Sequence, residues 1–480
     1  MSPALSGSGR RNARYTPLDA DGPLPADMVR AVPAIRRDPL AYLRGVVDRY
    51  GDLVAFPMPR TPVLLVNDPA GADRVLRDNH RAYGKATVQY RALSAVTGAG
   101  LLTADGDAWR ARRRLAQPAF RHGALDGVAA GAVAAGEALR RIWDDAGPRT
   151  AVDADAAAMR AMLDVVGRTL FAADLSPVAD RVVAAVDTAL HAVVHRSASP
   201  LALGPLGRLP TPSRRRLRRA VATLDEVARD VIARRRAALD AAAGPAGDED
   251  VLALLLRAAD AGALTEAQVR DELVTMVIAG HETVASCLTW VLHLLTGAPD
   301  VQERLRGELA GVLGGRPATW ADVPALGYAR AVVDEALRLY PPAWVITRRA
   351  LEADTVAGVD VPAGSLVILS PWLLHRRPQR WPDADRFDPG RFLAGGSGGP
   401  GPGPAGGTGP AAREAGYLPF GAGPRLCIGR DLALVEVVLV LATLLRDREV
   451  VRPPGVPAPR VDALVTLRPR GGLPLLLRPV

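Results

Sequence analysis

A cysteine near the end of a glycine-rich loop is the residue in this chain best placed to do chemistry. The loop reads Phe420-Gly421-Ala422-Gly423-Pro424-Arg425-Leu426-Cys427-Ile428-Gly429, and a long apolar helix over about 431–446 follows at once. A thiolate held there suits a metal that needs one strong, soft, charged ligand. Gly423 and Gly429 leave room for the backbone to turn around the sulfur. Main-chain N–H groups and the N-terminus of the next helix stabilise its charge. A cysteine in such a loop, taken alone, reads as a buried structural residue. Further patterns upstream decide against that.

The first is Ala279-Gly280-His281-Glu282-Thr283, in the middle of a helix that opens with the capping box Thr265-Glu266-Ala267-Gln268 and reaches about Leu295. That helix is roughly 45 Å long at 1.5 Å per residue and should cross the whole molecule. Glycine in a helix centre costs up to about 1 kcal/mol relative to alanine. Such a local conflict marks function. Glu282 and Thr283 make an acid–alcohol pair able to pass protons. His281, between them in sequence, points elsewhere and reads as non-catalytic. The second is Glu335-Ala336-Leu337-Arg338, an ion pair on one helix face, which gains meaning from Leu339-Tyr340-Pro341-Pro342 directly after it. The third is Trp109 and Arg113, four apart on one face, where a guanidinium fork can meet a carboxylate.

Together these motifs resemble the cytochrome P450 family, from about Asp38 to the C-terminus. The resemblance implies a mostly helical α+β fold with a long central helix, a haem-binding Cys loop and small antiparallel sheets. It implies haem b as cofactor, with Cys427 as the proximal thiolate ligand of the iron, which favours O–O cleavage. Phe420 would lie near the sulfur. Trp109, Arg113, Arg348 and Arg425 would bind the haem propionates. Small Ala279 and Gly280 would leave space for O2, Thr283 would hydrogen-bond it, and Glu282 would bring protons from solvent. Met276, Ala279, Thr283, Ala343, Trp344, Val345 and Ile346 would line the substrate pocket. Glu335, Arg338 and Arg391, the last from Phe387-Asp388-Pro389-Gly390-Arg391-Phe392, would form a buried structural triad. Gly390 stands where the family commonly has Glu, which leaves the triad intact. His375 is expected to be structural.

The implied activity is monooxygenation of a lipophilic small molecule, by hydroxylation or epoxidation. A peroxygenase, isomerase or coupling enzyme is the alternative within the family, and a haem-binding sensor or carrier the alternative outside it. Three stretches resemble actinobacterial P450s that oxidise terpenes, especially sesquiterpenes: Gly204 to Pro210, Ala343 to Ala350 and Val465 to Pro469. A terpenoid or other secondary metabolite is therefore the leading substrate class, with fatty acids, macrolides and steroids open. No length of chain remains for a reductase, so electrons should come from a separate ferredoxin and its reductase. Arg112, Arg114 and Arg430 are expected on the docking face.

Composition narrows the classes further. At 480 residues and 49% hydrophobic content the chain can bury a large core. Length alone allows two or three domains, but no linker separates independent cores, so residues 26–480 read as one P450 domain. Residues 1–25 are expected to be disordered, and 394–412, rich in Gly and Pro, to be a flexible insertion. Net charge +9 raises nucleic acid as a partner. Arg interspersed with Asp and Glu, 4% aromatics and no nucleic-acid motif argue against it. Cys287 and Cys427 are the only cysteines, and no apolar leader precedes them, so a reducing cytoplasm is expected. No run of about twenty apolar residues is evident, so no transmembrane anchor is expected. A monomer is expected. Lys85 is the single lysine among 60 basic residues; with abundant Ala and Gly this points to a high-GC genome such as an actinobacterium's. His191 and His195, at i and i+4, read as plain helix-face residues.

Overall fold

Two helices hold the machinery, and both are buried for reasons visible in sequence. The computed structural model describes residues 18–59, 61–121, 125–197, 211–241, 250–393 and 410–480. In the central helix the capping box closes both ways: Thr265 Oγ1 accepts from the Gln268 N–H at 3.3 Å and Gln268 Oε1 from the Thr265 N–H at 2.8 Å. The helix then runs Glu266–Leu295. By length and composition it could cross a membrane, although polar residues such as His281 and Glu282 interrupt its apolar run; 83% of its apolar window is buried inside the protein, as in a core helix. Its middle is not plain α-helix. Ile278–Glu282 forms a π-turn between Glu266–Val277 and Thr283–Leu295, a feature common at functional sites.

The cysteine helix, Arg430–Leu445, is buried at every position from Leu434 to Leu445. A helix apolar on all sides has to be surrounded by protein. It packs on Leu125–Ala146, while Ala154–Phe171 crosses the central helix. Most of the helical body shares one large apolar cluster.

The strands form small sheets to one side. The largest has the order Leu53–Phe56, Val63–Val66, Leu366–Leu369, Ile346–Ala350, Tyr83–Gly84. Its pairs are antiparallel, as expected, except Val63–Val66 with Leu366–Leu369, which is parallel. Val152–Asp153, Pro474–Pro479 and Arg448–Val451 make a second sheet. Two hairpins complete the set among the described residues, one of them the terminal hairpin Val461–Ala463 with Leu467–Pro469.

Asp38 and Pro39 suit a helix start, and Pro39–Tyr50 is a helix, with Asp38 Oδ1 accepting from the Ala41 N–H at 2.9 Å. The stretch 83–102 reads as irregular in sequence yet contains a helix, Val88–Thr97, whose N-cap Thr87 makes no side-chain cap bond. Pro362-Ala363-Gly364 reads as a hairpin turn and is a turn, with the Ser365 N–H donating to the Pro362 carbonyl at 3.1 Å, but the hairpin itself turns at Ala357 and Gly358, between Asp354–Val356 and Val359–Val361. Both turn residues have positive φ, 48° and 88°, as a two-residue type I′ connection requires.

Of segment 1–25, residues 1–17 lie outside the described residues. The remainder sits on the first strand, where the Ala55 N–H donates to the Asp21 carbonyl at 2.9 Å. The stretch Gly204 to Pro210 and residues 394–409 of the Gly/Pro-rich insertion also lie outside the described residues; the insertion's end enters a short helix, Pro410–Glu414.

Candidate functional site

The Cys427 loop is shaped by backbone geometry before any side chain acts. Gly421 and Gly423 have φ of 72° and 68°, a region side-chain-bearing residues avoid. A Cβ on Gly423 would also lie 1.9 Å from the Leu76 carbonyl oxygen. Gly429, expected to serve the turn, has φ −90° and needs no such freedom; it packs on the Phe120 ring. The loop closes through the Cys427 N–H, which donates to the Phe420 carbonyl at 3.0 Å. Arg113 Nη1 then pins it by donating to the Leu426 carbonyl at 2.7 Å. Cys427 is left open to solvent, whereas Cys287 is buried. Surrounding protein and Asp431 push the Cys427 thiol up, and the Gly429 N–H with the Arg113 and Arg430 guanidiniums offsets only part of that rise.

Beside this loop the protein gathers cations. Arg425 lies 4.4 Å from the centre of the Trp109 ring, donates to the Ala104 carbonyl at 3.1 Å and pairs with Asp105. Arg348 is buried against its own strand, with Nη1 3.0 Å from the Thr347 carbonyl and 3.5 Å from the Tyr90 hydroxyl. Lys85, also buried, donates from Nζ to the Leu102 carbonyl at 2.7 Å and stands 4.9 Å from the centre of the Tyr90 ring. Burial and the nearby Arg348, Arg425 and Arg113 push the Lys85 ammonium well below its ordinary range, with Asp105 alone opposing them. Four basic side chains therefore gather in a largely dry region, and Arg425 alone of them is paired with a carboxylate, Asp105. Buried charge of one sign is costly without a partner, and a ligand with two carboxylates suits this set. Lys85 and Tyr90 escaped sequence reasoning. The one available signal was that a chain so committed to arginine keeps a single lysine.

At the middle of the central helix the expected roles separate. Ala279 is open and Gly280 and Thr283 are half-buried, between buried stretches over 272–278 and 284–292. Gly280 is small for a different reason than space for O2: a Cβ there would lie 2.8 Å from Val166 Cγ2 on the crossing helix. Thr283 Oγ1 donates to the Ala279 carbonyl at 2.7 Å. Glu282, 2% exposed, turns away, and its Oε1 accepts from Thr466 Oγ1 at 2.7 Å. Its carboxyl is pushed up to about 7 by burial, against the Thr466 bond and the charge of Arg468. His281 is buried with Nδ1 2.5 Å from the Val277 carbonyl, and burial lowers its pKa to about 4. It is a neutral packing residue, in line with the sequence reading. Among the expected pocket residues, Ala343 is exposed and Val345 and Ile346 are half-buried. Met276 is instead buried in the helical core. Trp344 packs among Leu40, Phe56 and Trp372, with its indole N–H donating to the Leu464 carbonyl at 2.8 Å. Those two are buried.

Residues 21–475 match the family model for cytochrome P450. The chain belongs to the cytochrome P450 family. It is 33% identical to pentalenene oxygenase of Streptomyces avermitilis, over 90% of this chain and 92% of that one. It is likewise 33% identical to cyclooctat-9-en-7-ol 5-monooxygenase of Streptomyces melanosporofaciens, over 86% and 85%. The crystal structure of CYP175A1 from Thermus thermophilus superposes with a TM-score of 0.74 at 32% identity, covering 95% of this chain and all of that one. The protein is thus a P450 monooxygenase, and the family implies haem, O2, a redox partner and a lipophilic substrate.

In this P450 the expected triad is assembled and buried. Arg338 Nε and Nη2 reach the two Glu335 oxygens at 2.6 and 2.8 Å, and Arg391 Nε stands 3.5 Å from Glu335 Oε1. The Asp388 N–H donates to the same oxygen at 2.9 Å. His375 connects the triad to the cysteine loop. Its carbonyl accepts from Arg338 at 2.9 Å, and its Nε2 accepts from the Leu418 N–H at 2.9 Å, two residues before Phe420. That bond requires a neutral ring, and burial lowers the His375 pKa to about 3.

The expected docking face needs correction. Arg112 is buried, with Nη1 2.8 Å from Glu272 Oε1, and cannot meet a partner. Arg430 is half-buried and paired with Asp431 at 2.8 Å. Arg114 alone of the three is exposed. His191 and His195 lie on Ala179–Ser197, and no group of three metal-ligating side chains forms among the described residues.

Proposed function

We propose that this P450 binds haem b through Cys427 and hydroxylates or epoxidises a terpenoid or a related lipophilic secondary metabolite. The observation that carries the cofactor assignment is the gathering of Lys85, Arg113, Arg348 and Arg425 beside the Cys427 loop, where Arg425 alone of the four is paired with a carboxylate, Asp105. These cations, with the Trp109 ring under Arg425, would hold the propionates, and Phe420, Gly423 and Gly429 would shape the loop around the sulfur. Haem, when bound, supplies the activation of O2, and a thiolate ligand favours O–O cleavage. Ala279 offers the small open surface for O2, Thr283 a hydroxyl beside it, and Glu282 an acid poised near neutrality to bring protons. Glu335, Arg338 and Arg391 stabilise the loop's foundation and touch no reacting atom.

The terpenoid reading is supported by the two Streptomyces relatives, whose names specify a terpene hydrocarbon and a terpene alcohol. Electrons would come from a small acidic ferredoxin docking near exposed Arg114. Two unpaired cysteines suit a reducing cytoplasm. The test is optical. Reduced protein with carbon monoxide should give the thiolate-type spectrum, and Cys427→Ser should abolish it. Titrating ferric protein with pentalenene, fatty acids and macrolides should give a saturable low-spin to high-spin Soret shift with the terpene. A shift with fatty acids or macrolides alone would overturn the substrate class, and a Cys427→Ser protein that kept the thiolate spectrum would overturn the ligand.

A further inference from the structure

Glu282 and Thr283 are neighbours in sequence, yet they serve different partners. Successive helix residues point about 100° apart. Thr283 donates to Ala279 on its own helix, and Glu282 accepts from Thr466. Thr466 lies in the short turn of the terminal hairpin, between Val461–Ala463 and Leu467–Pro469. The hairpin is fastened to the central helix at two more points: Ser286 Oγ and Trp290 Nε1 both donate to the Leu467 carbonyl, at 2.6 and 2.9 Å. Two residues beyond Thr466, Arg468 donates to Asp155 at 2.6 Å and to Asp187 at 3.1 Å. Asp155 is buried, whereas 43% of the Asp187 side chain is open to water. One short strand thus brings a hydroxyl and a cation to a buried acid and reaches solvent two residues on.

Glu282 Oε2 has no hydrogen-bond partner. A carboxylate oxygen this deeply buried is costly when charged and cheap when protonated. Facing the carboxyl are Thr466 and Arg468 from the hairpin, Asp155 from Ala154–Phe171 and Asp187 from Ala179–Ser197. The bond and the cation favour its charge, and burial and the two aspartates oppose it. His281, which also feels Arg468, stays neutral. An acid balanced in this way can be loaded and emptied near pH 7.

We infer that Thr466 is the positioning residue for Glu282, holding the carboxyl at the Arg468–Asp155–Asp187 cluster, where it takes its proton from solvent before turning toward Thr283. The proton arrives at Oε2 from solvent on the Asp187 side and leaves from the same carboxyl; no electron moves in this step. Arg468 does not relay it, since a guanidinium keeps its protons; it fixes the two aspartates and the polarity of the approach. The inference rests on Glu282 being the proton donor proposed above.

The test uses haem-loaded protein and the variants Glu282→Gln, Thr466→Val, Thr466→Ala and Thr466→Ser. Infrared titration should show a protonated-carboxyl band with a midpoint near neutrality in the parent, absent in Glu282→Gln. Loss of the hydroxyl in Thr466→Val should move that midpoint upward by about one unit, as loss of a hydrogen bond to a carboxylate does. Thr466→Ser should restore it. With a plant-type ferredoxin and its reductase as electron source, the fraction of consumed O2 released as hydrogen peroxide should rise at least twofold in Thr466→Val and Glu282→Gln but not in Thr466→Ser. Thr466→Ala gives the same reading should the valine disturb folding. An unmoved midpoint, or a serine variant behaving as the valine, overturns the positioning role. An unchanged peroxide fraction in Glu282→Gln overturns the donor role and this inference with it. Loss of the thiolate spectrum in the parent would instead overturn the ligand assignment at Cys427.

Discussion

Arg112 reaches Glu272 at 2.8 Å with both side chains out of water. Glu272 also accepts from the Leu101 N–H at 2.9 Å, so one carboxylate ties the start of the central helix to the turn before Gly106–Ala116 and to that helix itself. Removing one partner of a buried pair typically costs about 3–5 kcal/mol, because the other charge is stranded. Arg112→Ala should therefore lower the urea midpoint sharply. Arg114→Glu, at an exposed site, should change stability by no more than about 0.5 kcal/mol yet weaken electron transfer from an acidic ferredoxin and flatten its salt dependence. Equal stability losses in the two variants would contradict this division of labour.

The cluster around Lys85 predicts a preference that can be measured without turnover. Apoprotein should retain haem far better than its dimethyl ester, because only the free acid meets the cations. Lys85→Met and Arg348→Leu should each reduce that preference, by roughly tenfold for each charge-assisted bond lost. They should also improve the folding of the apoprotein, since four like charges repel. Competitive loading of the two porphyrins, read by the Soret band, checks both statements. Equal retention of acid and ester by the parent would rule the cluster out as the propionate site.

What the sequence disclosed and what it hid divide along distance. Cys427, Trp109 with Arg113, Glu335 with Arg338, and the Thr265 capping box are local patterns, and each was legible because its members lie within one loop or two helix turns. The facing of Arg112 depends on Glu272, 160 residues away, and no helical wheel drawn on Gly106–Ala116 contains that carboxylate. Gly280 has its reason in Val166 and Trp344 has its own in Leu464; both reasons lie in other elements. Val88–Thr97 was missed because Thr87 makes no side-chain cap bond. The turn at Ala357 was missed because alanine rarely adopts positive φ, while the Pro362-Ala363-Gly364 signal nearby looked stronger.

Arg338 spends all its donors. Nε and Nη2 hold Glu335, and the remaining bonds go to the carbonyls of His375, Ala384 and Arg386 at 2.9, 2.6 and 3.1 Å. A guanidinium has five N–H groups in a fixed fork, whereas an ammonium has three. Arg338→Lys should therefore be nearly as damaging as Arg338→Ala, although charge is kept. Both should yield little haem-loaded protein, because the His375–Leu418 connection to the cysteine loop loses its anchor. The ratio of Soret to protein absorbance after purification measures this. Normal haem content in the lysine variant would show that charge alone suffices.

Glu436 gives the protein a pH dependence of definite sign. It sits within the cysteine helix, 5% exposed, and burial alone lifts its carboxyl from 4.5 to about 8. In the unfolded chain the same group ionises near 4.5, so the folded state binds more protons between the two values, and stability falls as pH rises through that window. Its contribution is fully present below about pH 4.5 and gone by about pH 8; the full span corresponds to about 3–5 kcal/mol. Glu436→Gln removes the titration while keeping the shape. It should be less stable than or equal to the parent at pH 5 and more stable at pH 9, so that the two melting curves cross. The comparison cancels every other titrating group, including Glu282, which loses stability in the same direction. Parallel melting temperatures from pH 5 to 9 would mean that Glu436 is ionised in the folded protein at all of them, with a counter-charge or solvent reaching it.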